Sequence, residues 1–382
     1  MRIALVNLWH ASTTPRDQIA RDALRRELAR GLTTRGHTVT VIQEHLVHDE
    51  LLDEGVRWVF VPPSRTCEGA RALLGGRRDA FIRAPATHML APIRHFGPDI
   101  IHTFDLASLP TLGLLARLRT ELGAKLVVHD HGGAPLRRGP GPAFERRVLA
   151  GVDRLLFTTR ARAQAWIESG ALPNLDRVVE VFETSSPYTP GDAPTGDAPR
   201  LSGAPALLHL GRLDPVKDPL TTLAALRRVL LDLPGARLHM AWRDAPMLGP
   251  VCDAARDLPV ELLGPRMNVE ALLRGADLLV QASTREVCGI AVLEALATGT
   301  APVLSDIPPF RRLTDGGRIG RLFPVGDPEA MAAAIADAWA ARQAGPLSEA
   351  PVREWFDAAL SFEALTDAVE ATYRELGARR GT

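Results

Sequence analysis

The chain has 382 residues, which is enough for two domains of ordinary size. Its 45 Lys and Arg residues balance 45 Asp and Glu residues, and this zero net charge argues against a protein that wraps nucleic acid or another polyanion. The 3 cysteines are widely spaced and no apolar run reaches the roughly 18–20 residues that cross a bilayer, so we expect a soluble protein of the reducing cytoplasm.

Short apolar runs alternate with helix-length amphipathic segments along the whole chain. The first run, residues 3–6, is typical of a strand rather than a signal peptide, and a single helix is predicted over 17–32 from its leucine spacing. Further strands are predicted at 38–42, 58–61, 100–103, 125–128, 155–158, 206–210, 237–241, 260–263, 278–281 and 301–304. This alternation predicts an α/β protein with two doubly wound parallel sheets, in which ligands bind at the carboxyl ends of the strands.

The loop after the first strand, residues 7–15, precedes the best helix but lacks G-x-G-x-x-G, which disfavours a Rossmann dehydrogenase. The motif G-x-x-x-x-G-K-[ST] of P-loop ATPases and the hydrolase motif G-x-S-x-G are also missing from the chain. The chemistry must therefore be sought in other segments.

The first of these segments, KLVVHDHGGAP, ends a predicted strand with His129 and His131 beside two glycines. A histidine at the carboxyl end of a strand is well placed in a ligand cleft. The alternatives are a polar turn and a metal site built from these histidines and Asp130. The sequence shows no further clustered ligands, which disfavours the metal.

A loop with two cations, GRLDPVK, follows the strand predicted at 206–210 and contains Arg212 and Lys217. Two adjacent phosphates carry about two negative charges, and a pair of cations meets that charge when water leaves. The alternative is ordinary surface charge, with Asp214 and Asp218 as salt-bridge partners.

A third segment joins a predicted strand to a helix through a glycine. Glu286 precedes Gly289, which opens a helix with Glu294 in its second turn. Free amides at a helix start bind anions, and glycine lets a phosphate approach the backbone closely. Glu294 is placed to reach ribose hydroxyls and Glu286 to meet a sugar; the alternative for Glu294 is a solvated helix residue.

Together these segments resemble glycosyltransferase family 4 of the GT-B fold. The family's G-R-loop-K segment corresponds here to GRLDPVK, and its E-x-x-G-x-x-x-x-E-A segment to EVCGIAVLEA. Two further segments resemble the family's first domain, namely LARGLTTRGHTVTVI and PDIIHTFD. Lys217 is one of only two lysines in the chain, and it occupies the position at which the motif has lysine.

The resemblance implies two doubly wound Rossmann-like domains that face a central cleft. We expect an acceptor-side domain at 1–186, a linker rich in Pro, Gly and Asp at 187–203, and a donor domain at 204–360. The segment 361–382 is then a terminal helix that crosses back onto the first domain.

The resemblance also implies a retaining transferase that moves a sugar from a nucleotide diphosphate to a hydroxyl acceptor. A UDP-sugar is the expected donor, with no metal or other cofactor, and the acceptor is a saccharide, lipid or small metabolite. Arg212 and Lys217 would hold the diphosphate and stabilise the leaving group, while Glu286 would contact the donor sugar and Glu294 the ribose. The remaining implied contacts are the amides of Cys288, Gly289 and Ile290 and, on the acceptor side, His131, with His129 as the alternative.

Three departures from the family pattern indicate a divergent branch. The first loop has Ala-Ser-Thr-Thr at 11–14 where the family usually has two glycines, ETSS at 183–186 replaces P-N-G-V-D, and WRD at 242–244 replaces a G-x-G. A non-catalytic nucleotide-sugar-binding protein and a GT-B epimerase therefore stay open as alternatives. The arginines of the first helix leave open a weak peripheral membrane contact, although Asp22 and Glu27 dilute their charge.

Overall fold

The computed structural model describes residues 1–8, 13–65, 67–69, 84–104, 106, 108–135, 141–188 and 201–378. These fall into two compact units, unit 1 with residues 1–183 and 365–382 and unit 2 with residues 184–364. Most of the segment predicted as a linker, and Trp9, His10, Ala11 and Ser12 of the first loop, lie outside the described residues.

Unit 1 is built on an eight-stranded sheet. Its strands are β1 (Arg2–Asn7), β2 (Thr38–Glu44), β3 (Asp49–Asp53), β4 (Val56–Val61), β5 (Ile100–Thr103), β6 (Lys125–His129), β7 (Arg154–Phe157) and β8 (Val178–Glu180). Their order is β3-β4-β2-β1-β5-β6-β7-β8, and neighbours are parallel except β3 with β4. The inner strands are buried along almost their whole length, as expected where helices cover both faces.

The helices of unit 1 are α1 (Pro15–Arg21), α2 (Ala23–Thr34), α3 (Leu90–Phe96), α4 (Leu109–Leu122), α5 (Gly141–Leu149) and α6 (Arg160–Glu168). The prediction of one helix over 17–32 is wrong, because the chain breaks at Asp22. This residue has φ −93° and ψ 66°, and its carboxylate accepts a hydrogen bond from the amide of Arg25 at 3.2 Å. The leucine spacing continues through the break, whereas the aspartate starts a new helix by capping it.

Unit 2 holds a six-stranded parallel sheet. Its strands are β9 (Ala206–Leu210), β10 (Arg237–Ala241), β11 (Val260–Gly264), β12 (Leu278–Gln281), β13 (Ala301–Ser305) and β14 (Arg321–Phe323), in the order β11-β10-β9-β12-β13-β14. Its helices are α7 (Pro219–Asp232), α8 (Leu248–Ala255), α9 (Val269–Gly275), α10 (Ile290–Ala297), α11 (Pro308–Leu313), α12 (Pro328–Ala344) and α13 (Glu349–Ala359). The prediction of two doubly wound sheets is therefore confirmed, and β9 lies beside β12.

The last helix, α14 (Phe362–Ala378), packs on unit 1 from Leu365 onward. Tyr373 is fully buried, and its hydroxyl lies 2.5 Å from Nδ1 of His102 on β5. The helix also approaches α2 closely, since a Cβ on Gly31 would lie 2.9 Å from Oγ1 of Thr366. No helix within the described ranges combines the length and apolar composition needed to span a membrane.

The buried tyrosine of α14 allows a test of this packing. We expect Tyr373→Phe to lower the free energy of unfolding by about 1–2 kcal/mol, because it leaves the imidazole of His102 without its hydroxyl partner. Tyr373→Ala should cost about 3–5 kcal/mol through the cavity it creates. Glu375→Ala, whose exposed carboxylate lies 3.8 Å from Arg154, should change stability by less than about 1 kcal/mol. Denaturant unfolding measures all three, and equal losses would contradict the packing described.

Candidate functional site

The loop after β9 is organised by Asp214. Its Oδ1 accepts hydrogen bonds from the amides of Val216 at 3.0 Å and Lys217 at 2.9 Å, and its Oδ2 lies 2.7 Å from Nη2 of Arg212. Asp218 then caps α7 by accepting from the amide of Thr221. Asp214 thus pairs with Arg212 as one alternative foresaw, and its other oxygen fixes the turn that carries Lys217.

Lys217 and Glu286 form an ion pair between the loops after β9 and β12. The Lys217 Nζ lies 2.5 Å from Oε1 of Glu286, and the hydroxyl of Ser283 donates to the same oxygen at 2.9 Å. The amide of Thr284 donates to the carbonyl of Val216 at 2.8 Å, so the two loops are also joined through their backbones. Both charged side chains are only about 15% exposed, which strengthens the pair relative to a surface one.

His209 lies on β9 beneath this pair. It is fully buried, and burial together with the nearby charge of Lys217 lowers its pKa to about 3. The ring is therefore neutral at physiological pH. Because this ring is neutral, the positive charge near His209 is that of the Lys217 ammonium.

The glycine at the start of α10 is required by its surroundings. Gly289 has φ +91°, and a Cβ there would lie 2.8 Å from the ring of Phe310. For both reasons, any residue other than glycine would be strained at this position. Cys288 and Gly289 are buried, while Ile290 after them is 53% exposed, so the turn reaches the surface of unit 2 at Ile290.

Glu294 lies in the second turn of α10, is half-buried, and interacts with the side chain of Tyr188. Burial raises the pKa of Glu294 to about 7, although the Tyr188 hydrogen bond acts in the opposite direction. Burial and the charges of Glu294 and Glu270 raise the pKa of Tyr188 to about 12, so its hydroxyl keeps its proton. The carboxylate that the motif predicted is thus partly desolvated rather than a solvated helix residue.

The two histidines after β6 differ in exposure. His129 is completely buried, whereas His131 is exposed, with the two ring centroids 5.1 Å apart. Although His131 is exposed, the protein atoms crowded around it and the nearby His129 and Arg25 hold its pKa well below the ordinary value. Of the two residues, only His131 is exposed, and its lowered pKa keeps its ring neutral.

The turn that carries His131 is fixed from behind by Asp130. Its carboxylate lies 2.6 Å from Nε of Arg162 on α6 and accepts from the amide of Gly133 at 2.9 Å, while Arg162 also donates to the carbonyl of Gly133 at 2.8 Å. Asp130 is thus engaged in an ion pair. In the part of the chain that the structure describes, no three His, Cys, Asp or Glu side chains are grouped to hold a metal ion.

Unit 2 therefore brings Lys217 and Glu286 into contact, and His131 belongs to unit 1. Sequence reasoning missed the residues that fix these groups: Ser283, Asp130 with Arg162, His209 and Tyr188. One signal was available for Tyr188, since the chain has only 2 tyrosines and the other is the buried Tyr373.

Two family models together match most of the chain. Residues 26–181 match the model described as Glycosyltransferase Family 4, and residues 204–341 match the model described as Glycosyl transferases group 1. The first match lies within unit 1 and the second within unit 2. Each unit therefore resembles one half of the same kind of protein.

Relatives of known description agree with these models. A D-inositol 3-phosphate glycosyltransferase of Thermobispora bispora is 30% identical over 91% of this chain and 90% of its own length. One of the same description from Geodermatophilus obscurus is 33% identical, over 70% of this chain and only 62% of that relative. Among solved structures, sucrose-phosphate synthase from Thermosynechococcus elongatus has a TM-score of 0.66, with 19% identity and 99% coverage of both chains.

The raised pKa of Glu294 predicts a stability effect with a definite sign. The protonated carboxyl stabilises the folded state fully below pH 4.5, and this contribution is lost as the pH rises from 4.5 to about 7. We therefore expect Glu294→Gln to change stability little near pH 5 and to raise the free energy of unfolding at pH 8 by up to about 3 kcal/mol.

Thermal unfolding of wild type and variant at pH 5 and pH 8 measures this difference. Glu329→Gln is the matched control, because that carboxylate is largely exposed and pairs with Arg228 at the surface. A gain for Glu294→Gln that is the same at both pH values would show that the carboxyl is not desolvated as described.

Proposed function

The chain belongs to glycosyltransferase family 4, and we propose that it transfers a sugar from a UDP-sugar to a hydroxyl acceptor with retention of anomeric configuration. The observation that carries this proposal is the Lys217–Glu286 ion pair at the adjacent ends of β9 and β12, eight residues before the half-buried Glu294. A pair of opposite charges suits a ligand that is anionic at one end and rich in hydroxyls at the other.

We propose that the diphosphate of the donor binds to the two cations of the β9 loop, Arg212 and Lys217. The guanidinium of Arg212 is 52% exposed and pairs with Asp214, so an incoming phosphate can share it. The ammonium of Lys217 would turn from Glu286 to the phosphate. Glu286 is then free to accept hydrogen bonds from hydroxyls of the donor sugar, with Ser283 holding its carboxylate in place.

The chemistry would be stabilisation of the leaving group. As the bond between the anomeric carbon and the phosphate oxygen breaks, negative charge grows on the nucleotide, where Lys217, Arg212 and the amides of Cys288, Gly289 and Ile290 would meet it. The acceptor oxygen forms the new bond to the anomeric carbon, and its proton passes to the departing phosphate. No metal ion takes part in this scheme.

The acceptor is proposed from the relatives. Two of them are described as D-inositol 3-phosphate glycosyltransferases, so inositol 3-phosphate is the first acceptor to assay. Within unit 1 we propose that the exposed His131, rather than the buried His129, acts in transfer.

Donor binding provides the first test. UDP and UDP-glucose should raise the melting temperature of the wild type, and Glu294→Ala should weaken this stabilisation about tenfold or more in apparent affinity. GDP-mannose serves as the comparison for the base. If no nucleoside diphosphate or nucleotide sugar raises the melting temperature, the assignment of the donor site fails.

Lys217 provides the second test, because the chain contains a matched control. Lys217→Ala should reduce kcat by about a hundredfold or more, as expected for loss of a charge that stabilises the leaving group. Lys125→Ala removes the only other lysine, which lies 3.8 Å from Asp153 in unit 1, and should leave transfer unchanged. Turnover should also survive EDTA, and NMR of the product should show the donor's anomeric configuration. Unchanged turnover in Lys217→Ala would contradict the proposed role.

The two histidines provide a third test. His131→Ala should lower kcat while leaving the melting temperature nearly unchanged, since the residue is exposed. His129→Ala should mainly lower the melting temperature, because its ring is buried. The reverse pattern would assign the active histidine to His129.

A further inference from the structure

Tyr188 is held beside Glu294 through its own backbone. Nη1 of Arg353 donates to the carbonyl of Tyr188 at 3.0 Å and to the carbonyl of Ala297 at 2.6 Å. The amide of Tyr188 donates to the hydroxyl of Ser186 at 3.2 Å. Because Ala297 is the last residue of α10, Arg353 ties Tyr188 to the helix that carries Glu294.

Arg353 is itself fixed on α13. Its guanidinium forms an ion pair with Asp357 at 2.7 Å and lies 5.0 Å from the centroid of the Phe356 ring. A guanidinium held on several sides loses little further freedom when it binds the two carbonyls. The position of Tyr188 is therefore set by the packed helices of unit 2.

The hydroxyl of Tyr188 faces carboxylates. The charges of Glu294 and of Glu270, which lies 2.5 Å from Arg274, both act on it. A tyrosine hydroxyl that donates to a carboxylate still has lone pairs with which to accept. Tyr188 and Glu294 are both only half-buried, so a ligand can reach these lone pairs.

We propose that Tyr188 is a second ribose-binding residue, which accepts a hydrogen bond from one hydroxyl of the nucleotide ribose while Glu294 accepts from the other. This rests on the proposed function, in which Glu294 binds ribose. Two neighbouring acceptors match the two neighbouring hydroxyls of a ribose ring. The tether from Arg353 holds Tyr188 beside the helix of Glu294 before the nucleotide arrives.

This arrangement makes the site selective for ribonucleotides. A deoxynucleotide would leave one acceptor in a partly desolvated site without a donor, and sites built to bind a hydroxyl reject analogues that lack it. Tyr188 is thus a specificity-determining residue for the sugar of the nucleotide, distinct from Lys217 and Arg212, which would meet the phosphates of any nucleotide.

The test compares the affinities of UDP, 2′-deoxy-UDP and 3′-deoxy-UDP by calorimetry. Wild type should bind UDP about 10-fold or more tightly than either deoxy analogue. Tyr188→Phe should weaken the binding of UDP about 5- to 20-fold and leave the affinity for one of the two deoxy analogues nearly unchanged. The ratio of the affinity for UDP to the affinity for that analogue therefore falls toward one. Tyr373→Phe makes the same chemical change at the buried tyrosine of unit 1 and should preserve both ratios.

The outcomes separate this inference from the proposed function. If Glu294→Gln lowers the preference for UDP over a deoxy analogue while Tyr188→Phe leaves both ratios unchanged, Glu294 binds ribose and the role of Tyr188 is overturned. If wild type binds UDP and both deoxy analogues equally, the inference about Tyr188 is overturned while the donor site stands, and if it binds none of them, the proposed function fails as well. A general loss of affinity in Tyr188→Phe with unchanged ratios would indicate a merely structural tyrosine and also overturns the inference.

Discussion

The parallel pairing of β9 with β12 is the constraint on which the candidate site depends. Leu207 pairs with Leu278 and Leu208 with Leu279, so the loops that follow these strands leave the sheet at the same edge. The pairing joins segments that are about 70 residues apart in the chain, and it brings Lys217 within 2.5 Å of Glu286. Burial of these apolar strands stabilises the sheet. The ion pair is then a product of the fold, and its partners need not stabilise the fold themselves.

Residues that are rare in the chain mark the places where the chemistry of one side chain cannot be replaced. Among 45 cations only two are lysine, and Lys217 places a compact ammonium beside Glu286, where the planar guanidinium of arginine has a different shape. Both tyrosine side chains have a polar partner, the ring of His102 for Tyr373 and the carboxylate of Glu294 for Tyr188. Phenylalanine could fill the same space but could not make these polar contacts.

Most of the sheet architecture could be predicted from the sequence, because buried parallel strands are continuous apolar runs. The strands β3, β8 and β14 could not, since they have only three to five residues each, are only partly buried, and depend for their pairing on neighbours already in place. The break at Asp22 was hidden by apolar spacing that continues through it. Spacing also placed Lys217 and Glu286 near a common ligand, but their direct pairing depends on strand order, which periodicity does not contain.

The region that carries the proposed chemistry contains local features that cost free energy. Gly289 at φ +91° and Asp218 at φ +44° lie at the starts of α10 and α7, and burial raises the pKa of Glu294 to about 7. Positive φ at a non-glycine residue and a desolvated carboxyl each cost free energy, and neither is needed to close the sheet. Such costs persist where the surrounding structure enforces them, here the Phe310 ring against Gly289 and the tether from Arg353 to Tyr188. The strain and desolvation gathered at these two helix starts thus support the assignment of this edge as the site independently of the sequence motif.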